Sequence, residues 1–298
     1  MNTQINELLR PEILNSINGM ELIARIIVEG FMSGSNRSET IGSGQEFSQY
    51  RNYEPGDDLR QLDWKMYARS ERYYIKQAEI ETNITVKFMI DASNSMSYSE
   101  DRLSKLQYAK VLTAALGYLA RKQSDSFGLF TVNNKKTRVV EPRFEQQQFL
   151  RFLNALIEVK SEGTWGNKYS IEHLFDRHGK EMIVFITDLY DEERDLLNFI
   201  ARLKTPRNEV IVFHLMGEHE MKFDYDGSFT FQDLENKTSR RVETTFQQKE
   251  YVERVEEWIK QSRLWMYERQ ISYQLIRLSD AFENSLRDFL KVRKLLIR

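Results

Sequence analysis

The chain has 298 residues, 41% of them apolar and 30% charged, and its 43 basic side chains nearly balance 45 acidic ones to leave a formal charge of -2. That composition is globular and gives no global electrostatic reason to expect nucleic acid as a partner. The absence of cysteine excludes disulfides, thiolate catalysis, iron–sulfur clusters and cysteine-type zinc sites.

Met1 to Gly19 holds Glu7, Arg10 and Glu12 and lacks the basic start and apolar block of a secretory signal. Met20 to Met32 is interrupted by Glu21, Arg25 and Glu29 and is too short to cross a bilayer. No integral membrane span is expected, and the location is read as cytoplasmic. From residue 11 to 31, Ile13, Leu14, Ile17, Met20, Ile23, Ile26 and Ile27 recur at helical spacing, which predicts an amphipathic helix. The serine- and glycine-rich run from Ser33 to Gly44 reads as a connector. Its Gly42-Ser43-Gly44 lacks both the preceding strand and the following Gly-Lys of a phosphate loop. Between Arg51 and Lys76, Pro55-Gly56-Asp57-Asp58 is a turn signal, and the mixed charges suit mutual ion pairs or a docking surface.

From about residue 84, short β-type apolar runs alternate with helix-period segments. The predicted strands are Thr85 to Ile90, Phe127 to Val132, Met182 to Thr187, Val210 to Leu215 and Ser272 to Leu278, with Arg138-Val139-Val140 as an antiparallel edge. The predicted helices are Leu103 to Arg121, Gln146 to Ile157, Ser170 to Arg177, Glu193 to Leu203, Tyr251 to Trp265 and Ala281 to Leu296. Strands apolar on both faces and separated by helices imply an α/β fold with a doubly wound, mainly parallel sheet over residues 84–298. Residues 1–83 are expected to form a helix, loop and β extension packed on that domain.

Ligands of such sheets gather where strands end at their carboxyl side, because strand-to-helix loops converge there. Two buried strands end at an aspartate, in Phe88-Met89-Ile90-Asp91-Ala92-Ser93-Asn94-Ser95 and in Phe185-Ile186-Thr187-Asp188, and Gly163-Thr164 lies between them. Asp91, Ser93, Ser95, Thr164 and Asp188 supply two carboxylates and three hydroxyls. Such oxygens suit a small hard cation, Mg2+ first and Mn2+ or Ca2+ as chemical substitutes, and not a soft metal. An Asp-x-Ser-x-Ser run also serves as a helix cap and turn, and that reading stands beside the first. The four histidines are read as packing or surface residues: His173 and His178 fall on different faces of a helix, His214 alternates within a strand, and His219 sits in a loop.

The set resembles the metal-ion-dependent adhesion site of von Willebrand factor A domains, in which Asp-x-Ser-x-Ser after the first strand is followed by a distant Thr and a distant Asp. Asp91, Ser93 and Ser95 match the first part, and Thr164 and Asp188 match the others. The order of strands and helices is also that family's. Upstream, Tyr50-Arg51-Asn52-Tyr53-Glu54-Pro55-Gly56-Asp57-Asp58-Leu59-Arg60-Gln61-Leu62-Asp63-Trp64-Lys65, with Phe231-x-Asp233-Leu-Glu235 later, resembles the bacterial family called domain of unknown function 58. Many of its members begin with membrane spans, which this chain does not share. The resemblance implies a von Willebrand factor A-like, Rossmann-type fold and, as partners, a MoxR-type AAA+ ATPase and an unknown client.

An enzyme would need a nucleophile and a base. Ser93 and Ser95 have no activating histidine in a recognisable arrangement. Asp91 as a phosphoryl acceptor of the haloacid-dehalogenase type would call for a second carboxylate two residues on, where Ser93 stands. The expected function is therefore a non-enzymatic, metal-dependent protein-binding module acting as adaptor or co-chaperone. The alternative is a magnesium-dependent hydrolase or phosphatase using the same five residues.

Overall fold

The computed structural model describes residues 8–35, 49–54, 57, 62–77, 83–100, 103–135, 137–165, 180–190 and 195–297. The chain divides into two compact units, Met32–Asn83 and the remainder, Met1–Phe31 with Ile84–Arg298. The smaller unit pairs β1 (Gln49–Asn52) antiparallel with β2 (Tyr74–Gln77) around α3 (Trp64–Ser70). Asp63 caps that helix by accepting from the Lys65 and Met66 amides at 2.9 and 3.1 Å.

The N-terminal periodic segment is two helices, α1 (Pro11–Leu14) and α2 (Ile17–Ser35), broken at Asn15 and Ser16. The break follows from local competition: the Ser16 hydroxyl donates to the Ile13 carbonyl and accepts from the Gly19 amide, at 3.0 and 3.1 Å, drawing the chain out of one helix and starting the next.

The main sheet contains β3 (Thr85–Asp91), β6 (Ser126–Val132), β7 (Val139–Arg143), β8 (Glu181–Thr187), β9 (Asn208–Met216) and β12 (Ser272–Arg277), ordered β12-β9-β8-β3-β6-β7. All pairings are parallel except β6 with β7. Pro142, which cannot donate to a ladder, lies on the edge strand β7, where that costs nothing. Counted in chain order, the six strands lie 3-2-1-4-5-6, so the direction of winding reverses between β3 and β8. This is the doubly wound α/β architecture the alternating pattern implies.

Both faces of the sheet are covered, which is why the strands are apolar throughout rather than alternating. Phe88 meets Phe152 of α5 (Gln148–Ile157) and Phe289 of α9 (Phe282–Ile297) on one face, with ring centroids 5.7 and 6.3 Å away. Its neighbour Met89 points to the other face, into a cluster with Phe185, Phe199 and Ile200 of α6 (Asp195–Leu203), and Met266 of α8 (Thr244–Glu268). Each fully buried side chain of this size contributes about 1.5–3 kcal/mol. The helix predicted at Ser170 to Arg177 lies outside the described residues, as does most of the connector after Ser33.

The amino ends of the strands are closed by charge. Lys87 of β3 pairs with Glu181 of β8, both nearly buried. Asp125, fully buried before β6, accepts the Ile84 amide at 3.1 Å and holds Arg293 of α9 through two bonds of 2.7 Å. Removing the guanidinium strands a buried carboxylate. Arg293→Met is expected to cost about 3–5 kcal/mol in urea unfolding, and Arg293→Lys, which keeps charge without the fork, clearly less. A cost below about 1 kcal/mol for Arg293→Met would show that Asp125 does not depend on this partner.

Candidate metal centre

β3 ends at Asp91, whose carboxylate is turned inward and fully buried. One oxygen accepts from the Ser93 amide at 3.0 Å and the other from the Thr187 hydroxyl at 2.8 Å, so the ends of β3 and β8 are joined side chain to side chain across the switch point. A short 3-10 turn over Asn94–Ser97 then brings Ser95 back beneath Ser93. The two hydroxyls share a hydrogen bond of 2.9 Å, and Ser95 donates to Asp188 Oδ1 at 3.1 Å. Asp91, Ser93, Ser95 and Asp188 are thus one hydrogen-bonded chain, linked at its first step through the Ser93 amide and then hydroxyl to hydroxyl to carboxylate, each residue at most 7% exposed.

Thr164 is on the adjoining loop. The backbone of that loop is laced to the first one: the Asn94 amide donates to the Gly163 carbonyl and the Glu162 amide to the Ala92 carbonyl, both at 2.8 Å. The Thr164 hydroxyl is engaged by Asn134, which donates to it at 2.7 Å, and not by the other four. Gly163 has φ +71, and a Cβ there would lie 2.1 Å from Asn134 Oδ1, so this close approach requires glycine. The structure therefore joins four of the five residues directly and sets the fifth alongside.

Four contributors were not visible as site residues in the sequence: Thr187, Asn134, Lys105 and Glu220. Lys105 opens α4 (Lys105–Lys122), where Ser104 and Gln107 form a reciprocal capping box at 3.1 and 2.9 Å. Its ammonium, 4% exposed, donates to Asp188 Oδ2 at 3.0 Å and to Glu220 Oε1 at 2.7 Å. Glu220 belongs to α7 (Glu218–Lys222), the short helix after β9. A signal did exist, since the first turn of a helix favours acidic residues and a lysine there opposes the helix dipole unless another charge holds it.

Electrostatics single out Asp91. Burial, and then the like charge of Asp188, push its pKa up to about 7, against the donors at Ser93 and Thr187 that favour the anion. Burial opposes the charge on Lys105, but Asp188 and Glu220 outweigh it and raise its pKa. His214 of β9 stays neutral, because burial drives it down to about 3; its Nδ1 shares a 2.7 Å hydrogen bond with the Tyr273 hydroxyl, as befits a packing residue. His173 and His178 lie outside the described residues.

These features fit a small divalent cation. Of the two buried carboxylates only Asp188 is met by the Lys105 ammonium, and Asp91 is left to hold a proton near neutral pH, where a cation would serve better. Among the described residues no group of three or more His, Asp or Glu is placed to hold a metal, so any ion here must use the hydroxyls.

An uncharacterized protein of Mycobacterium tuberculosis, Rv1480, is 22% identical over 233 residues, 76% of this chain and 72% of its own length, and Mb1516 of Mycobacterium bovis matches equally. Among solved structures, the conserved hypothetical protein BatB from Bacteroides thetaiotaomicron is 13% identical with a TM-score of 0.47, over 71% of this chain and 100% of that one. A von Willebrand factor type A structure from Catenulispora acidiphila is 12% identical with a TM-score of 0.40, over 72% and 43%. A family model described as protein of unknown function DUF58 matches residues 49–261.

The position of Asp91 has a consequence for stability. In chelator the folded chain keeps the Asp91 proton up to about pH 7, whereas the unfolded chain loses it near 3.8. Between those values the folded state binds more protons, so this residue makes stability fall as pH rises. Asp91→Asn abolishes the effect. The stability of wild type relative to that variant is expected to drop by up to about 1.4 kcal/mol per pH unit across the window. His214 titrates with the opposite slope but is common to both proteins. Urea unfolding at a series of pH values measures the difference, and a pH-independent difference would refute the assignment.

Proposed function

The chain belongs to the DUF58 family, and on that premise we propose that it is a cytoplasmic, non-enzymatic protein-binding module that recognises its partner through a divalent cation. The observation carrying this reading is the buried hydrogen-bonded cluster of Asp91, Ser93, Ser95 and Asp188 at the switch point of the sheet. Asp91 and Asp188 would provide the negative charge, Ser93 and Ser95 the neutral oxygens, and Thr164 a further hydroxyl from the neighbouring loop. When bound, Mg2+ would supply an electrophilic position that a carboxylate of another protein can fill. Lys105 cancels part of the local charge, so that the cation stays electron-poor. The partner in this proposal is a MoxR-type AAA+ ATPase, together with a client it remodels. Their support is the family resemblance of the sequence alone.

One observation favours the hydrolase alternative. A carboxyl poised near pH 7 is what a general base requires. Against it, Asp91 and Ser93 are both fully buried, and the imidazole of His214, on β9, is neutral and engaged with Tyr273.

Calorimetric titration of Mg2+ distinguishes these readings. Wild type is expected to bind, Asp91→Ala to lose binding, Asp188→Ala to lie between, and Thr164→Ala to keep the ion but weaken the partner, since only a neutral oxygen is removed. Pulldown of the ATPase should succeed in Mg2+ and fail in chelator. Indifference of the pulldown to chelator and to Asp91→Ala would reduce the five residues to caps and turns. Hydrolysis of a phosphate ester that disappears in Asp91→Ala would install the alternative.

A further inference from the structure

A cavity of about 810 Å³ opens directly beside the candidate metal centre and shares Ser95, Lys105 and Asp188 with it. That volume lies within the roughly 300–1,000 Å³ range of ligand sites. Its walls come from segments that no reading of the five oxygens called upon. They are Tyr98 before the β4 (Ser99–Glu100) and β5 (Leu103–Ser104) ribbon, the α7 region, the hairpin of β10 (Ser228–Gln232) and β11 (Ser239–Glu243), and one side of α8.

These walls are aromatic and held in place. Phe223 stacks on Tyr251 at 4.3 Å and on Phe231 at 5.3 Å, and Tyr225 meets Phe231 edge-on at 5.3 Å. The Tyr251 hydroxyl donates to the Glu220 carbonyl at 3.0 Å, fixing α8 to α7, and Lys105 fixes α7 to Asp188. Glu100 caps α7 by accepting from the Glu218 and His219 amides at 2.6 and 2.7 Å. Tyr190, two residues beyond Asp188, donates to Asp233 at the turn of the hairpin. The pocket is therefore built on the same network as the oxygen cluster.

We propose that this cavity receives an aromatic or large aliphatic side chain of a protein segment whose neighbouring acidic residue meets the metal centre. The proposal rests on the metal-dependent reading given above and names the class of partner. Charge complementarity selects an acidic segment. With Asp91 of the centre counted, five carboxylates (Asp91, Asp188, Glu220, Asp233, Glu250) stand against three cations (Lys105, Arg240, Arg254), so a divalent ion cancels the two surplus negative charges that would otherwise repel an acidic segment. Arg254 is tied to Glu250, whereas Arg240, exposed on β11, makes no ion pair among the described residues and is available to a second carboxylate. The rim selects a chain rather than a small molecule: Tyr190 and Trp258, each 38% exposed, and Phe229, 40% exposed, extend the apolar surface beyond the cavity, where flanking residues would lie.

The probe is a pair of libraries of acetylated, amidated heptapeptides, one with Asp and one with Asn fixed at the centre, passed over the immobilised 298-residue chain in millimolar Mg2+ and sequenced after elution. Retained peptides are expected to carry Phe, Tyr, Trp or Leu within two residues of the Asp, and to elute in chelator. Val242→Trp, which fills the cavity from β11 without touching an oxygen of the centre, should weaken a selected peptide at least about tenfold while Mg2+ titration is unchanged. Arg240→Glu should remove any preference for a second acidic residue and serves as the control that needs no repacking. Asp- and Mg2+-dependent retention with no side-chain preference, or a Val242→Trp variant that binds normally, overturns the pocket and leaves the metal reading standing. Retention of aromatic peptides that ignores chelator and Asp overturns both the coupling and the metal reading. No retention at all overturns the proposal.

Discussion

Two carboxylates, Asp91 and Asp188, are buried at the point where the sheet reverses its winding, and a single ammonium reaches only the second of them. Burying even one uncompensated carboxylate is costly, and burying two in contact range is more so. The surrounding architecture can be read as the answer to that cost. Thr187, the Ser93 amide and the Ser95 hydroxyl bond the pair, and Lys105, at the first position of its helix, is held by Asp188 and Glu220. What these donors leave unsatisfied falls on Asp91, which keeps a proton where an ordinary aspartate would not. Apolar residues of similar volume would fill the same space at less cost, so stability alone does not account for these groups.

Lys105 also explains why the loops at this end act together. One side chain bonds the loop after β8 and the helix after β9, while Glu100 clamps that helix from the opposite direction. The aromatic cavity is thus not an independent surface feature. Its walls are joined to the oxygen cluster by charged hydrogen bonds, which are shorter and stronger than neutral ones. Any change of charge at Asp188 is felt by α7, and through Tyr251 by α8.

The family assignment and the geometry bear on different questions. The DUF58 model spans residues 49–261, a range that takes in the oxygen cluster, the hairpin and most of α8, but the family carries no assigned function. Relatives in Mycobacterium are equally uncharacterized. The physical arrangement of donors and cavity walls therefore carries what the family description leaves open: a buried cluster of carboxylates and hydroxyls beside an aromatic cavity.

The sequence alone determined the class of fold, because uninterrupted apolar strands between amphipathic helices can be buried only in a parallel sheet covered on both faces. It also marked Asp91, Ser93, Ser95, Thr164 and Asp188, since a carboxylate at the end of a buried strand has no packing reason to be there. For Lys105 it held only the weak signal of a lysine in the first turn of a helix, and for Glu220 it held none. A lysine on a helix and a glutamate after a strand are ordinary surface residues until a contact 115 residues apart in the chain brings them together. Thr187 read as one more β-branched strand residue, and Asn134 as part of a turn. The hairpin from Ser228 to Glu243 was missed for a related reason: its residues are mostly exposed, so the apolar alternation that betrays a buried strand is absent. Only the tertiary structure decided that this hairpin, with α7 and α8, stands over the end of the sheet. Which loops meet there depends on strand order, and strand order is set by long-range packing that leaves no periodic trace in the chain.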